Sequence, residues 1–232
     1  YALGNWWSRN ITYDDHSTTE LLKKFEKKKI PFAVMLFDHD WHYRNVGDYT
    51  GLKTGYTFNS NLFRNPKAMI DKFHQRGIHV GLCIDPTEGF YPHEQYYKQA
   101  SEFLGVSDNK IILFDPLNPK ILDVWFKAFL HPLENYGIDF FWNDYRGTSD
   151  PTNLWTTNHY LYLDSGRNSA RRSMILARNG IYAPHLYPVL YGGSSEVSWE
   201  ALKKLPFQYL NAANIGVSWW SHDVGGNHGG IE

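Results

Sequence analysis

The chain has 232 residues, 23 Lys and Arg against 24 Asp and Glu, a net charge of −1, and 17% aromatic residues. That length fits one large domain with its own core. The scattered basic residues exclude the striped positive surface that nucleic acids or anionic membranes require. The single cysteine, Cys83, excludes a disulfide framework, and no apolar run reaches membrane-spanning length.

Residues 3–7 form a short apolar run that reads as a strand. Ser17-Thr18-Thr19-Glu20 then reads as a capping box opening a helix through about residue 29. Residues 32–37 are continuously apolar, the pattern of a strand buried on both faces. Asn65-Pro66 places an N-cap before a proline at the first helical position, and Gly77 stops that helix. A second buried strand follows at 79–84. Residues 92–104 read as a helix closed by Gly105, and Asn118-Pro119 opens another that runs to about residue 136 and ends at Gly137. Strand is expected at 138–142, moderate helix at 158–163, and strand again at 173–178 and 189–191. Residues 199–213 are helical with Pro206 inside, which predicts a broken or late-starting helix. A last short strand is expected at 217–220.

Strands separated by helices of this size imply a parallel sheet with crossover connections. About seven strand-like segments suit a (β/α)8 TIM barrel lacking its last strand better than an open doubly wound sheet. The glycine fingerprint of a dinucleotide fold is absent after the first strand. The expected organisation is one catalytic barrel domain over 1–232, an excerpt of a larger multidomain protein. Loops around 46–58 and 147–157, rich in Gly, Thr and Asn, are expected near the mouth of the barrel.

Parallel barrels build their sites at the carboxyl ends of the strands. Those ends carry Asp38, His39, Asp40, Trp41 and His42; Asp85; Asn143, Asp144 and Arg146; Arg178; and His222 and Asp223. One aspartate at a strand end is ordinarily a cap or turn residue. Several converging on one rim predict an acidic pocket, and the Trp and Tyr content predicts aromatic walls. Such a pocket suits glycoside hydrolysis, in which one carboxylate attacks the anomeric carbon and a second carboxyl protonates the leaving oxygen. Metal chemistry is the rival reading of the His and Asp residues, but no HExxH or Cys/His spacing occurs, and no metal is expected. No GxSxG elbow supports a serine nucleophile.

These residues resemble glycoside hydrolase family 31, the α-glucosidase-like family. The resemblance runs from Gly4-Asn5-Trp6-Trp7-Ser8-Arg9 to Trp219-Trp220-Ser221-His222-Asp223-Val224-Gly225-Gly226. Gly137-Ile138-Asp139-Phe140-Phe141-Trp142-Asn143-Asp144 is similar to the family's nucleophile strand, which makes Asp144 the nucleophile by resemblance. The resemblance also implies that Asp38 binds a sugar hydroxyl, that Arg178 contacts the same sugar, and that Asp223 is the aspartate of the late HD-(I/V)-G-G motif. Trp41, Asp85, Trp142, Tyr191, Ser194 and Trp220 complete the expected substrate-binding set.

One position departs from the pattern. The family's acid/base aspartate falls on Ser194, in the stretch between Tyr187-Pro188 and Trp199. A serine hydroxyl is no general acid near neutral pH. Three readings stay open: Glu196, two residues on, supplies the proton; the acid comes from elsewhere or activated substrates need none; or the protein binds sugar without turnover. Tyr145-Arg146-Gly147 and Leu186 also depart from the family pattern, so the sugar is not readable. The expected activity is that of a retaining hydrolase of α-linked sugars, with a glycosyl-enzyme on Asp144 and Glu196 as acid/base; the alternative is a carbohydrate-binding homologue. The expected partner is an oligosaccharide or glycoside, with no cofactor, nucleic acid or membrane. No oligomeric state is readable. Residues 1–9 lack a leader pattern, which slightly favours the cytoplasm, although a leader ahead of residue 1 stays open.

Overall fold

The computed structural model describes residues 3–147, 150–168, 171–178, 180, 182–187 and 189–229. Strands and helices alternate along the chain, and every strand pairing recorded is parallel. This is the β/α succession of a TIM barrel, with seven strands among the described residues. The chain divides into two compact units, 1–141 and 142–232.

In the first unit, strand β1 (Trp6–Trp7) pairs with β2 (Val34–Phe37), and β2 pairs with β3 (His79–Ile84). The register sets Trp6 beside Val34 and Phe37 beside Leu82. All four residues of β2 are buried, as are the last five of β3, so both strands are covered on both faces. Gly81 is the small residue this packing needs: a Cβ there would lie 2.8 Å from both Leu36 Cδ1 and Phe140 Cζ.

Helix α1 (Asp15–Lys28) starts earlier than predicted. The capping box is real but shifted, because Asp14 is the cap. Its Oδ1 accepts from Ser17 N at 2.7 Å, and Asp14 N donates to Ser17 Oγ at 2.8 Å. Helix α2 (Pro66–His74) begins as predicted, with the Asn65 side chain accepting from Ala68 N. Helix α3 (Tyr97–Leu104) ends at a left-handed Gly105 as predicted, but residues 92–96 form turns rather than its first turn. The run predicted from Asn118-Pro119 appears as α4 (Pro119–Val124), a π-helical stretch over Trp125–Leu130, and α5 (His131–Asn135). Pro132 has no amide to donate, and a local change of helical pitch is how helices absorb such a residue.

Many of the aromatics are core. Trp125 is buried and donates Nε1–H to Tyr56 Oη at 3.1 Å, and the Phe90 and Phe129 rings stack 4.4 Å apart. Glu94 is buried beside them. Its Oε2 accepts from Thr57 Oγ1 at 2.6 Å and Tyr56 N at 3.1 Å, and burial raises its pKa to about 7 against those bonds. Strand β4 (Phe140–Asn143) begins in this unit. Asp139 donates its amide to Val80 O at 2.9 Å, and the Phe140 ring lies 5.1 Å from Trp6.

In the second unit the end of β4 pairs with β5 (Leu176–Ala177), β5 with β6 (Leu190–Tyr191), and β6 with β7 (Trp220–Ser221). Strand β5 is shorter than predicted, and β7 begins later. Helix α6 (Pro151–Ser165) is much longer than the predicted 158–163. It opens with Asp150 capping Thr152 N and Pro151 in the first turn, the same chemistry as Asn65-Pro66. Residues 148–149 of the loop before it lie outside the described residues.

Helix α7 (Trp199–Asn214) corrects another expectation, because it runs unbroken through Pro206. Ser198 Oγ caps Ala201 N at 3.1 Å. Pro206 has no N–H for the carbonyl of Leu202, but both residues are exposed, so water can take that carbonyl's bond. Among the described residues no helix is long and apolar enough to cross a membrane.

Candidate functional site

The sequence-predicted site residues fall in two groups, one in each unit. In the first unit, Asp38 follows β2 and caps the 3-10 turn His39–Trp41, its Oδ1 accepting from His39 N at 2.8 Å. Asp85 follows β3 and caps the turn Pro86–Glu88. Its Oδ1 accepts from Thr87 N at 3.0 Å and from the Thr87 hydroxyl, so its carboxylate serves its own loop. Asp40 is bound by Arg44 Nη1 at 2.7 Å and by the Thr12 hydroxyl at 2.5 Å.

Trp41 is 1% exposed; its ring packs on Phe58 at 5.0 Å, and Nε1–H donates to Cys83 O at 2.8 Å. That indole is a core pillar holding the His39–Trp41 turn to β3, with no open ring face for a sugar. His42 is equally buried, and the loss of solvent brings its pKa down to about 4. Its ring nitrogens lie 3.0 Å from Tyr43 O and 3.2 Å from Lys53 O. Gly55 leaves the room for that ring.

In the second unit, Asp144 stands one residue beyond β4 and is 1% exposed. Arg178, at the end of β5, donates Nη1–H to Asp144 Oδ1 at 3.0 Å. Arg146 donates Nη2–H to Asp144 Oδ2 at 3.0 Å. Two charge-assisted bonds from different loops fix the plane of this carboxylate. Its strand is anchored from below: Asn143 donates Nδ2–H to Asn158 Oδ1 at 2.7 Å, and its carbonyl accepts from Arg178 N at 3.2 Å.

Trp142 and Tyr191 meet edge to face at 5.3 Å, and Gly192 leaves room for the Trp220 ring, which a Cβ would meet at 2.3 Å. Trp142 Nε1 and Trp220 Nε1 are buried donors with no partner among the described residues. A buried N–H without a partner is costly and uncommon in a native core.

Asp223 follows β7. Its Oδ1 accepts from Tyr191 Oη at 2.6 Å, and its Oδ2 accepts from Ser195 N and Ser195 Oγ, both at 2.7 Å. It therefore clamps the loop that carries Ser194 and Glu196. The Ser194 hydroxyl donates to Asn227 Oδ1 at 3.3 Å. Glu196 is exposed, and its strand-like bridge to His228 fixes its backbone. Glu196 and Asp223 line one cavity of about 350 Å³ together with Ser195, Val197, Trp199 and Leu202. Pro188, used in aligning this loop, lies outside the described residues.

Two residues at this site, Ser195 and Asn227, were not among the strand-end residues read from the sequence, and Arg146 was placed at its strand end without a role. Arg146 had a signal, a departure from the family pattern two positions after Asp144. Ser195 and Asn227 had none, because their role is set by contacts across about thirty residues of chain.

The sequence matches the model of the family described as "Glycosyl hydrolases family 31 TIM-barrel domain" over residues 1–230. An α-xylosidase of Emericella nidulans is 23% identical over 262 residues, which is 99% of this chain and 32% of that protein. The α-glucosidase 2 of Bacillus thermoamyloliquefaciens is 25% identical over 97% of this chain and 33% of its own length. The chain thus spans about a third of the length of these relatives. A family 31 α-xylosidase from a soil metagenome, solved with xylose, superposes with a TM-score of 0.75 at 22% identity, covering 99% of this chain and 37% of that one.

Proposed function

Because the chain belongs to glycoside hydrolase family 31, we propose that it carries the catalytic barrel of a retaining hydrolase of α-linked glycosides, with Asp144 as nucleophile. The observation that carries this reading is the Asp144 carboxylate at the end of β4, held by Arg178 and Arg146. The partnerless indole N–H groups of Trp142 and Trp220 support it, since sugar hydroxyls are acceptors of the right size.

The chemistry follows the double displacement of retaining glycosidases. An Asp144 oxygen bonds to the anomeric carbon while the glycosidic C–O bond breaks, and the leaving oxygen keeps the electron pair and takes a proton. Water then adds to the anomeric carbon, giving a proton to the group that had protonated the leaving oxygen, while the bond to Asp144 breaks and its carboxylate is restored. Arg178 orients the attacking oxygen.

Ser194 cannot supply the proton. Glu196 is assigned that role because it is exposed to a cavity it shares with Asp223, on a loop that Asp223 clamps. The relatives named for α-xylosides and α-glucosides make those the substrates to try first.

The test is turnover of p-nitrophenyl α-glucosides and α-xylosides beside the α-glycosyl fluorides, using the full-length protein, Glu196→Gln and Ser194→Asp. Fluoride departs with little acid help. Activity on all substrates that Glu196→Gln loses only on the nitrophenyl glycosides establishes Glu196 as the acid. Activity on fluorides alone leaves Asp144 and removes Glu196 from the mechanism. Saturable sugar binding with no turnover of either class rejects the hydrolase.

A further inference from the structure

Besides the sugar chemistry, the first unit gathers three different metal-binding atoms in one place. Phe37, the last residue of β2, pairs with Leu82, so the next residues along, Asp38 just beyond β2 and Cys83 within β3, come close together. The 3-10 turn then folds His39 back over them, and Trp41, bonded to the Cys83 carbonyl, fixes that turn.

A ligand atom from each of Asp38, His39 and Cys83 lies within 4.8 Å of the others. The Cys83 thiol is 3.8 Å from His39 Nδ1 and 3.9 Å from Nε2, and His39 Nε2 is 3.7 Å from Asp38 Oδ1. Tetrahedral zinc, with bonds of about 2.3 Å to sulfur and about 2.0 Å to nitrogen and oxygen, sets S···N edges of about 3.5 Å and N···O edges of about 3.3 Å. The S···N and N···O spacings exceed those edges by a few tenths of an ångström, and the thiol and carboxylate lie within 4.8 Å of each other. The sulfur is nearly equidistant from the two ring nitrogens, so a turn about the imidazole χ2 selects which nitrogen ligates.

We propose that Asp38, His39 and Cys83 form a three-ligand site for a borderline-soft divalent cation of the zinc type, with a fourth position for water. One thiolate, one imidazole and one carboxylate favour zinc or cobalt over the hard, oxygen-seeking calcium and magnesium. Cys83 is completely buried, whereas the Asp38 and His39 side chains keep about a tenth of their surface in solvent, so the cation enters on their side. This departs from the sequence expectation of no metal, because the three residues do not fall in any spacing motif: two are adjacent and the third is forty-four positions away.

The experiment loads chelator-stripped protein with Co²⁺ and reads the near-ultraviolet thiolate-to-cobalt band, with Zn²⁺ affinity measured by calorimetry. Cys83 is the only cysteine in the sequence, so a thiolate band has one source. The expected result is one equivalent bound, with the band abolished in Cys83→Ser. Zn²⁺ affinity should drop at least about tenfold in that variant and in His39→Gln, whose less buried side chain keeps the fold safe if Cys83→Ser fails to form. A wild-type protein without the band, or Zn²⁺ affinity unchanged in both variants, overturns the site.

Discussion

Replacing Glu94 by Gln gives a stability change that only its burial explains. The carboxyl is 5% exposed, and burial raises its pKa from 4.5 to about 7 despite hydrogen bonds from Thr57 and Tyr56 that act the other way. A raised pKa means that the folded protein binds more protons than the unfolded chain between about pH 4.5 and about pH 7. Stability is therefore full below the lower value and is lost as the pH rises through the upper one. The rise from 4.5 to about 7 corresponds to a loss on the order of 3 kcal/mol above pH 7.

Gln keeps the oxygen that accepts from Thr57 and Tyr56 and never ionises. Urea unfolding of wild type and Glu94→Gln at a series of pH values reads this carboxyl together with its neighbour His93, whose Nε2 lies 3.5 Å from Glu94 Oε1 and whose pKa burial lowers. Near pH 5 the two proteins should match within about 1 kcal/mol, and by about pH 8 Glu94→Gln should be the more stable by up to about 3 kcal/mol. A difference that stays flat across this range refutes the reasoning, since the Glu94 carboxyl would then titrate alike in both states.

Other consequences of the structure are as direct. Asp144→Ala should lower kcat on the order of 10⁴-fold or more, and a fluorinated glycosyl fluoride should label Asp144 in the wild type, read by peptide mass spectrometry; labelling elsewhere removes the assignment. Asp223→Asn presents an amide N–H to donors where the carboxylate accepted three bonds, so it should cost about 2 kcal/mol and lower turnover by loosening the Glu196 loop. Gly192→Ala puts a methyl 2.3 Å from the Trp220 ring, and a loss of about 1–3 kcal/mol with a changed Trp fluorescence is expected.

Legibility in the sequence followed the range of the forces involved. Strand β3 has the predicted bounds because burial on both faces leaves a continuous apolar run. The Asn-Pro starts of α2 and α4 were visible because a cap and a proline act within four residues. The same signature at Asp150-Pro151 was present and missed, because α6 has no clear apolar stripe to draw attention to it. The strand-end positions of Asp144, Arg178 and Asp223 were legible from the strand pattern and the family resemblance together. What they touch was not. Asp85 and Asp38 turned out to cap their own turns, the ordinary fate of a strand-end aspartate. Trp41 proved a core pillar, and the partners of Asp223 come from a loop twenty-eight residues earlier. No local pattern encodes such a pairing.

The missing side chain at Gly81 ties three positions into one inherited unit. Leu36 and Phe140, from strands on either side, occupy the space where a Cβ would stand. A larger residue at 81 is tolerable only if one neighbour shrinks, so change at these sites must be paired. In a library randomised at positions 36, 81 and 140, the surviving sequences should therefore conserve summed volume rather than identity, and Ala at 81 should recur with a smaller residue at 36 or 140.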